Sequence, residues 1–141
     1  ATTGTSILNK AHYDSEEIQV ITDAVSCCSW SKGLPPKDRI GAILQDADRL
    51  DAIGAIGIMR NMACAQAMSS RGNDGLFYNP EDPLCKLSRP LDDQRFAIDH
   101  FFKKLLLLNQ GFHTLYAKRE AQRRHDFLLT FLNALSLDLP H

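Results

Sequence analysis

The chain has 141 residues, 44% of them hydrophobic and 23% charged. These are ordinary values for one globular domain around a single core, and they exclude general disorder. Sixteen Lys and Arg against seventeen Asp and Glu leave a formal net charge of −1, which gives no support to nonspecific binding of nucleic acid or of an anionic membrane.

The chain opens at Ala1 with no Met and no basic-then-apolar leader, so the start is read as processed or cut, or the chain as a fragment. A short helix is expected over Thr2 to Lys10. Asp14 has the look of an N-cap, with Glu17 at capping-box spacing, and the helix behind it carries Ile18, Ile21, Val25 and Cys28 on one face. The loop Ser31-Lys32-Gly33-Leu34-Pro35-Pro36 ends it. The next helical stretch runs from near Asp38 towards Met68, with Ile40, Ile43, Leu44, Ala47 and Leu50 as its first apolar stripe. That is long for so small a domain, so a break inside it is expected. Residues 70–93 read as a long loop, punctuated by Gly72, Gly75, Pro80, Pro83 and Pro90. A helix over Gln94 to Leu108, with Ile98, Phe101, Phe102, Leu105 and Leu108 inward, and another over Thr114 to Leu137, with Ala121, Leu128, Leu132 and Leu135 buried, form a C-terminal pair over 94–141. No segment reads as a strand, and the longest apolar run, Ala52 to Met59, is eight residues against the ~20 of a membrane span. The class is all-α.

Cys27, Cys28, Cys64 and Cys85 form no Cys-x-x-Cys pair and read as reduced thiols of a cytoplasmic protein. Met59, Met62 and Met68 read as core filler. Lys118, Arg119, Arg123 and Arg124 read as a solvated helix face, and His125, on the stripe with Ala121 and Leu128, as a structural histidine.

The most informative stretch is Asp46-Ala47-Asp48-Arg49-Leu50-Asp51, followed by the apolar Ala52-Ile53-Gly54-Ala55-Ile56-Gly57. An ionised carboxylate at the mouth of a buried helix needs a cation or donors. Asp48 and Asp51 share a helix face. Asp46 and Asp48 point apart, and Asp46 can reach Arg49 at i+3. From spacing alone, a surface charge cluster at a helix break fits as well as a ligand site does. Gly54 and Gly57 suit close helix packing better than phosphate binding, because no strand precedes them.

The segment from Ile43 to Gly57 resembles the last motif of the HD-domain metal-dependent phosphohydrolases, and most closely that of a small bacterial branch of the superfamily. Ser29-Trp30-Ser31 before Pro35-Pro36, Arg89-Pro90-Leu91-Asp92-Asp93, Asp99-His100-Phe101 and Lys104-Leu105-Leu106 are also similar to that branch, in order.

The resemblance implies an HD-domain-like helical bundle and hydrolysis of a nucleotide or related phosphate ester with a divalent metal ion (Mn, Mg or Fe). Asp48 matches the family's last metal ligand, and Asp46 a supporting or alternate one. Arg49 would face the substrate phosphate, joined by His100 and Lys104 from the tail helix. The implied catalytic residues are Asp48 and Arg49. The implied partner is a small phosphorylated substrate rather than a membrane or nucleic acid, and a second copy of the chain is a further candidate.

The family's earlier ligands, a His and a His-Asp pair, belong upstream of Asp46, where this chain has only His12. Cys28 also stands where relatives often carry a His. The chain therefore resembles the C-terminal part of such a domain, lacking its N-terminal helices, with 1–141 one partial unit. The other reading is a catalytically incomplete fragment or a non-catalytic module that binds a partner.

Overall fold

The computed structural model describes residues 2–69 and 75–139. Among them are six α-helices: α1 (Thr2–Lys10), α2 (Ser15–Cys27), α3 (Arg39–Asp51), α4 (Gly54–Ser69), α5 (Ala97–Lys103) and α6 (Leu115–Asp138). Two 3₁₀ turns, Trp30–Lys32 and Leu105–Asn109, link them. The described residues contain no strand, only an isolated bridge between Leu76 and Phe96. The all-α expectation is what is found.

Helix starts follow the caps in the sequence. The Asp14 carboxylate accepts from the Glu17 N–H at 2.8 Å while Glu17 accepts from the Asp14 N–H at 3.0 Å, a reciprocal capping box. Asp38 caps α3 through the Gly41 N–H at 2.7 Å. The break expected within the long stretch falls between α3 and α4. Gly54 takes φ +78° there, a left-handed conformation that glycine adopts without strain. A Cβ on Gly57 would stand 2.2 Å from the Ala52 carbonyl oxygen. Both glycines therefore serve the close turn between α3 and α4.

The helix expected over Gln94 to Leu108 is shorter. Leu76 and the 95–97 backbone exchange hydrogen bonds at 2.9 Å, which takes up the groups that would have opened the helix. At the other end Lys104 leaves helical geometry, with φ −140° and ψ −58°, and the chain tightens to 3₁₀. Ile98, Phe101, Leu105 and Leu108 are buried as expected, against Ile53 from the α3–α4 turn and Ala121, Leu128 and Leu132 of α6.

The orientation of α3 departs from expectation. Its buried residues are Gly41, Gln45 and Asp46, while Ile40 and Ile43 are 56% and 48% exposed. Two buried polar side chains have partners on three other segments, described below, and those bonds turn the polar face inward. Val25 on α2 is likewise 61% exposed. The outcome is an apolar groove of about 330 Å³ between α2 and α3, lined by Ile21, Ala24, Val25, Ile40, Ile43, Leu44 and Ala47. Met59, expected in the core, is exposed because it faces outward on α4. His125 is half-buried, with Nδ1 lacking a partner. No helix among the described residues is long and apolar enough to cross a membrane.

Candidate functional site

The segment that carries Asp46, Asp48 and Arg49 is the second half of α3, and its three side chains have three different surroundings. Asp46 is buried. Its Oδ1 accepts from the His113 N–H at 2.9 Å, and its Oδ2 from the Thr114 N–H at 2.9 Å and hydroxyl at 2.8 Å. These donors stand at the N-terminus of α6, where unpaired N–H groups and the helix dipole favour a negative charge. Burial pushes the Asp46 carboxyl up, but the donors of His113 and Thr114 outweigh it and hold the group below the ordinary range. Both oxygens are committed to joining α3 to α6. The reach from Asp46 to Arg49 that the spacing allows is not used.

Arg49 instead donates through Nη1 to the Gly111 carbonyl and through Nη2 to Gln45 Oε1 at 2.9 Å, while its Nε is buried without a partner. Gln45 is the hub of this junction. It is 1% exposed, and its amide nitrogen donates to the carbonyls of Cys27 at 2.7 Å and Leu34 at 2.9 Å. Its Oε1 also meets His113 Nε2 at 2.9 Å, which requires the Nε2–H tautomer of that ring. Neither Gln45 nor His113 is legible as a site residue in the sequence, because, apart from the Gln45–Arg49 contact within α3, the bonds that bury them join positions 11 to 68 residues apart.

Asp48 points elsewhere. It is exposed and has no hydrogen-bond or ion-pair partner among the described residues. Its neighbour is Cys28, whose Sγ lies 3.9 Å from the Leu44 carbonyl. Burial pushes the Cys28 thiol up and the Asp48 charge adds to that.

One helical turn beyond Asp48, Ala52 lines an open pocket of about 230 Å³ with Arg60, Asn61, Asp93, His100 and Lys104. His100 and Lys104 thus face the same space, together with Arg60, which the spacing does not single out. Arg60 pairs with Asp51. Lys104 has no carboxylate partner among the described residues, and its ammonium sits 6.0 Å from the Trp30 ring centroid, within cation–π reach. His100 Nδ1 is 3.0 Å from Asp93 Oδ2.

Arg89 and Asp99, quoted above as parts of the family-like tail, form an ion pair whose carboxylate is buried and whose guanidinium is half-buried. The Arg89 guanidinium grips Asp99 with two bonds of 2.6 and 2.8 Å and Asp82 with one of 2.8 Å. Asp99 is fully buried and also accepts from the Asp92 N–H at 2.7 Å. Burial raises its carboxyl, but Arg89 and the other donors prevail and hold it below the ordinary range. This network ties the 75–96 loop to α5 and sets the position of Asp93. Lys103 pairs with Asp93 at 2.5 Å, not with Asp99.

Among the described residues no three or more His, Cys, Asp or Glu side chains converge to hold a metal ion. Of the two carboxylates that the resemblance offers as ligands, Asp48 has no partner among the described residues and Asp46 is fully engaged. The donor set of the described residues is therefore too small for a first-row divalent ion, which takes three or more protein ligands in such sites.

No family model matches the chain. Its fold is that of the HD-superfamily helical domains: a solved HD-superfamily hydrolase from Bacillus thuringiensis superposes with a TM-score of 0.66 at 30% identity, over 95% of this chain and 59% of that one. Bacillus subtilis YpgQ, an uncharacterized protein, is 40% identical over 100 residues, 71% of this chain and 40% of its own length. The crystal structure of YpgQ in complex with ADP matches with a TM-score of 0.73 at 30% identity, over 99% of this chain and 61% of that one. This chain spans about two fifths of the curated relative that it matches, and about three fifths of these two solved chains.

Proposed function

We propose that the chain is the part of an HD-type metal-dependent phosphohydrolase that carries the last metal ligand and the phosphate contacts, acting on a nucleotide or related phosphate ester. The observation that carries this reading is a juxtaposition. A free, exposed carboxylate, Asp48, stands one helical turn from a pocket into which His100, Lys104 and Arg60 converge. The resemblance to an HD-superfamily hydrolase and to a protein crystallised with ADP supports the same chemistry. In this reading Asp48 ligates the metal, and Asp46 fixes α3 on α6 instead of ligating. His100 and Lys104 contact phosphate, where fixed cationic donors stabilise developing charge, while Arg49, which the resemblance assigns the same role, is held by Gly111 and Gln45 outside the pocket lining. The described residues do not complete a metal site, so in this reading the remaining ligands come from outside them.

Calorimetry and elemental analysis with Mn²⁺, Mg²⁺ and Fe²⁺, followed by a screen of nucleoside di- and triphosphates, test the proposal. In a form of the protein extended to include the family's earlier His and His-Asp ligands, the expected result is metal-dependent hydrolysis that falls in Asp48→Ala by at least the roughly 10- to 100-fold that loss of a ligand's supporting partner costs. Metal-dependent activity that survives Asp48→Ala sinks the assignment.

A second reading, a non-catalytic module that binds a partner, is favoured by the groove between α2 and α3. Its lining is apolar throughout, and Val25, Ile40 and Ile43 stand open on it.

A further inference from the structure

Asp93 lies in the loop before α5, and its side chain is 14% exposed. Its Oδ2 meets His100 Nδ1 at 3.0 Å and its Oδ1 accepts from Lys103 Nζ at 2.5 Å. Burial raises this carboxyl, but Lys103 and His100 outweigh that and hold it ionised, below the ordinary range. An ionised carboxylate only accepts, so Nδ1 must carry the hydrogen. The ring is thereby fixed with Nε2 as the working nitrogen. Nε2 makes no hydrogen bond among the described residues, and the ring lines the pocket shared with Arg60 and Lys104. The support under Asp93 is rigid, because the neighbouring Asp92 N–H is held by Asp99, itself gripped by Arg89.

We propose that Asp93 is a positioning residue which holds His100 so that Nε2–H of its imidazolium form donates to a phosphate oxygen bound in the pocket. The proposal rests on reading that pocket as a phosphate site. A carboxylate behind an imidazole selects one tautomer and stabilises the cation, while the opposite nitrogen is presented to the ligand. The charged and titratable groups around the ring are Asp93 from the loop, Lys103 and Lys104 from its own segment of chain, and Arg60 and Cys64 from α4. Lys103 is met by Asp93 and Arg60 by Asp51, which leaves Lys104 as the cation beside the ring without a carboxylate of its own.

The experiment is long-range ¹H–¹⁵N NMR of the imidazole in the labelled protein, free and with inorganic pyrophosphate as the probe. The free wild type is expected to show its neutral His100 ring protonated on Nδ1. With pyrophosphate, both nitrogens should become protonated. Asp93→Ala is expected to move the neutral ring towards the Nε2–H tautomer and to weaken pyrophosphate about five- to tenfold, the loss of one charge-assisted arrangement. Lys103→Met, which leaves Asp93 in place, should keep the wild-type tautomer. If Asp93→Ala does not fold, Asp93→Asn retains an acceptor without the charge and should lose affinity while keeping the tautomer. An unchanged tautomer in Asp93→Ala, or unchanged affinity in Asp93→Asn, overturns the proposal. Pyrophosphate that perturbs neither Arg60, His100 nor Lys104 in the wild type removes the phosphate-pocket reading instead, since the free-ring tautomer is measured without any ligand.

Discussion

Gly57 occupies a point where backbone meets backbone. The nearest atom to a Cβ there is the Ala52 carbonyl oxygen at 2.2 Å, with the Ala52 carbonyl carbon at 2.5 Å. Neither is the end of a flexible side chain, so the α3–α4 turn itself would have to open. Gly57→Ala should destabilise the protein by roughly 2–3 kcal/mol, in the range of overpacking that shifts backbone. Gly4, in α1, has nothing within 4 Å of the point where a Cβ would stand, and Gly4→Ala should be neutral or stabilising by up to about 1 kcal/mol through helix propensity. Urea unfolding of the two variants beside the wild type checks both. Equal midpoints for the pair would show that the turn yields. The importance of Gly57 is legible in part: an apolar run with glycines at 54 and 57 suggests close packing, but which backbone atom makes the approach is a three-dimensional fact.

At the scale of elements, the apolar core is supplemented by carboxylates that accept from a neighbouring segment. Asp46 joins α3 to α6. Asp99 joins α5 to the loop before it through Arg89 and Asp92. Asp93 receives His100 and Lys103. All three carboxyls are held below their ordinary value of 3.8. The unfolded chain, with ordinary carboxyls, therefore binds protons at a higher pH than the native state does. Their stabilisation is fully present above about pH 5 and is lost as pH falls from about 4 through the native-state values. Unfolding followed against pH should show a steep loss of stability below about pH 4, and Asp99→Asn should flatten that slope while lowering stability at pH 7, since it leaves Arg89 without its closest partner. A slope unchanged in Asp99→Asn would show that Asp99 is not held below its unfolded value. The cap at Asp14, the start of a helix near Asp38 and the α3–α4 break are readable because they are local, three or four residues in reach. The inward polar face of α3 is not. Periodicity says which residues share a face, and the apolar stripe Ile40, Ile43 and Leu44 reads as the inner one. The partners that pull Gln45 and Asp46 inside lie on α2, the Leu34 loop and the start of α6, and no spacing rule links them.

For the molecule as a whole, that reversal has a consequence. The apolar face of α3 meets that of α2 at the surface and leaves Val25, Ile40 and Ile43 facing outward over the groove. A second apolar hollow of about 390 Å³ lies against it, lined by Tyr13, Val20, Ile21 and Ile40 with Glu16 and Glu17. Ile21 and Ile40 belong to both, so the apolar surface is continuous. Single exposed apolar residues are normal, and a contiguous apolar surface is the kind of feature at which self-association is worth testing. Val25, Ile40 and Ile43 are already about half covered, so covering the rest of each gains roughly 1 kcal/mol, which offsets part of the entropy lost when two molecules join. Sedimentation velocity over a wide concentration range is expected to show association of the wild-type chain. Val25→Lys combined with Ile43→Lys should abolish it and leave the unfolding free energy within about 1 kcal/mol of wild type, since surface substitutions away from buried contacts usually lie within about ±0.5 kcal/mol each. The double variant is informative in both directions. If it stays folded and becomes monomeric, the groove is the surface that associates. If the wild type is already a monomer at every concentration, the groove does not drive self-association, and the reading of the chain as a partner-binding module loses the observation that favours it.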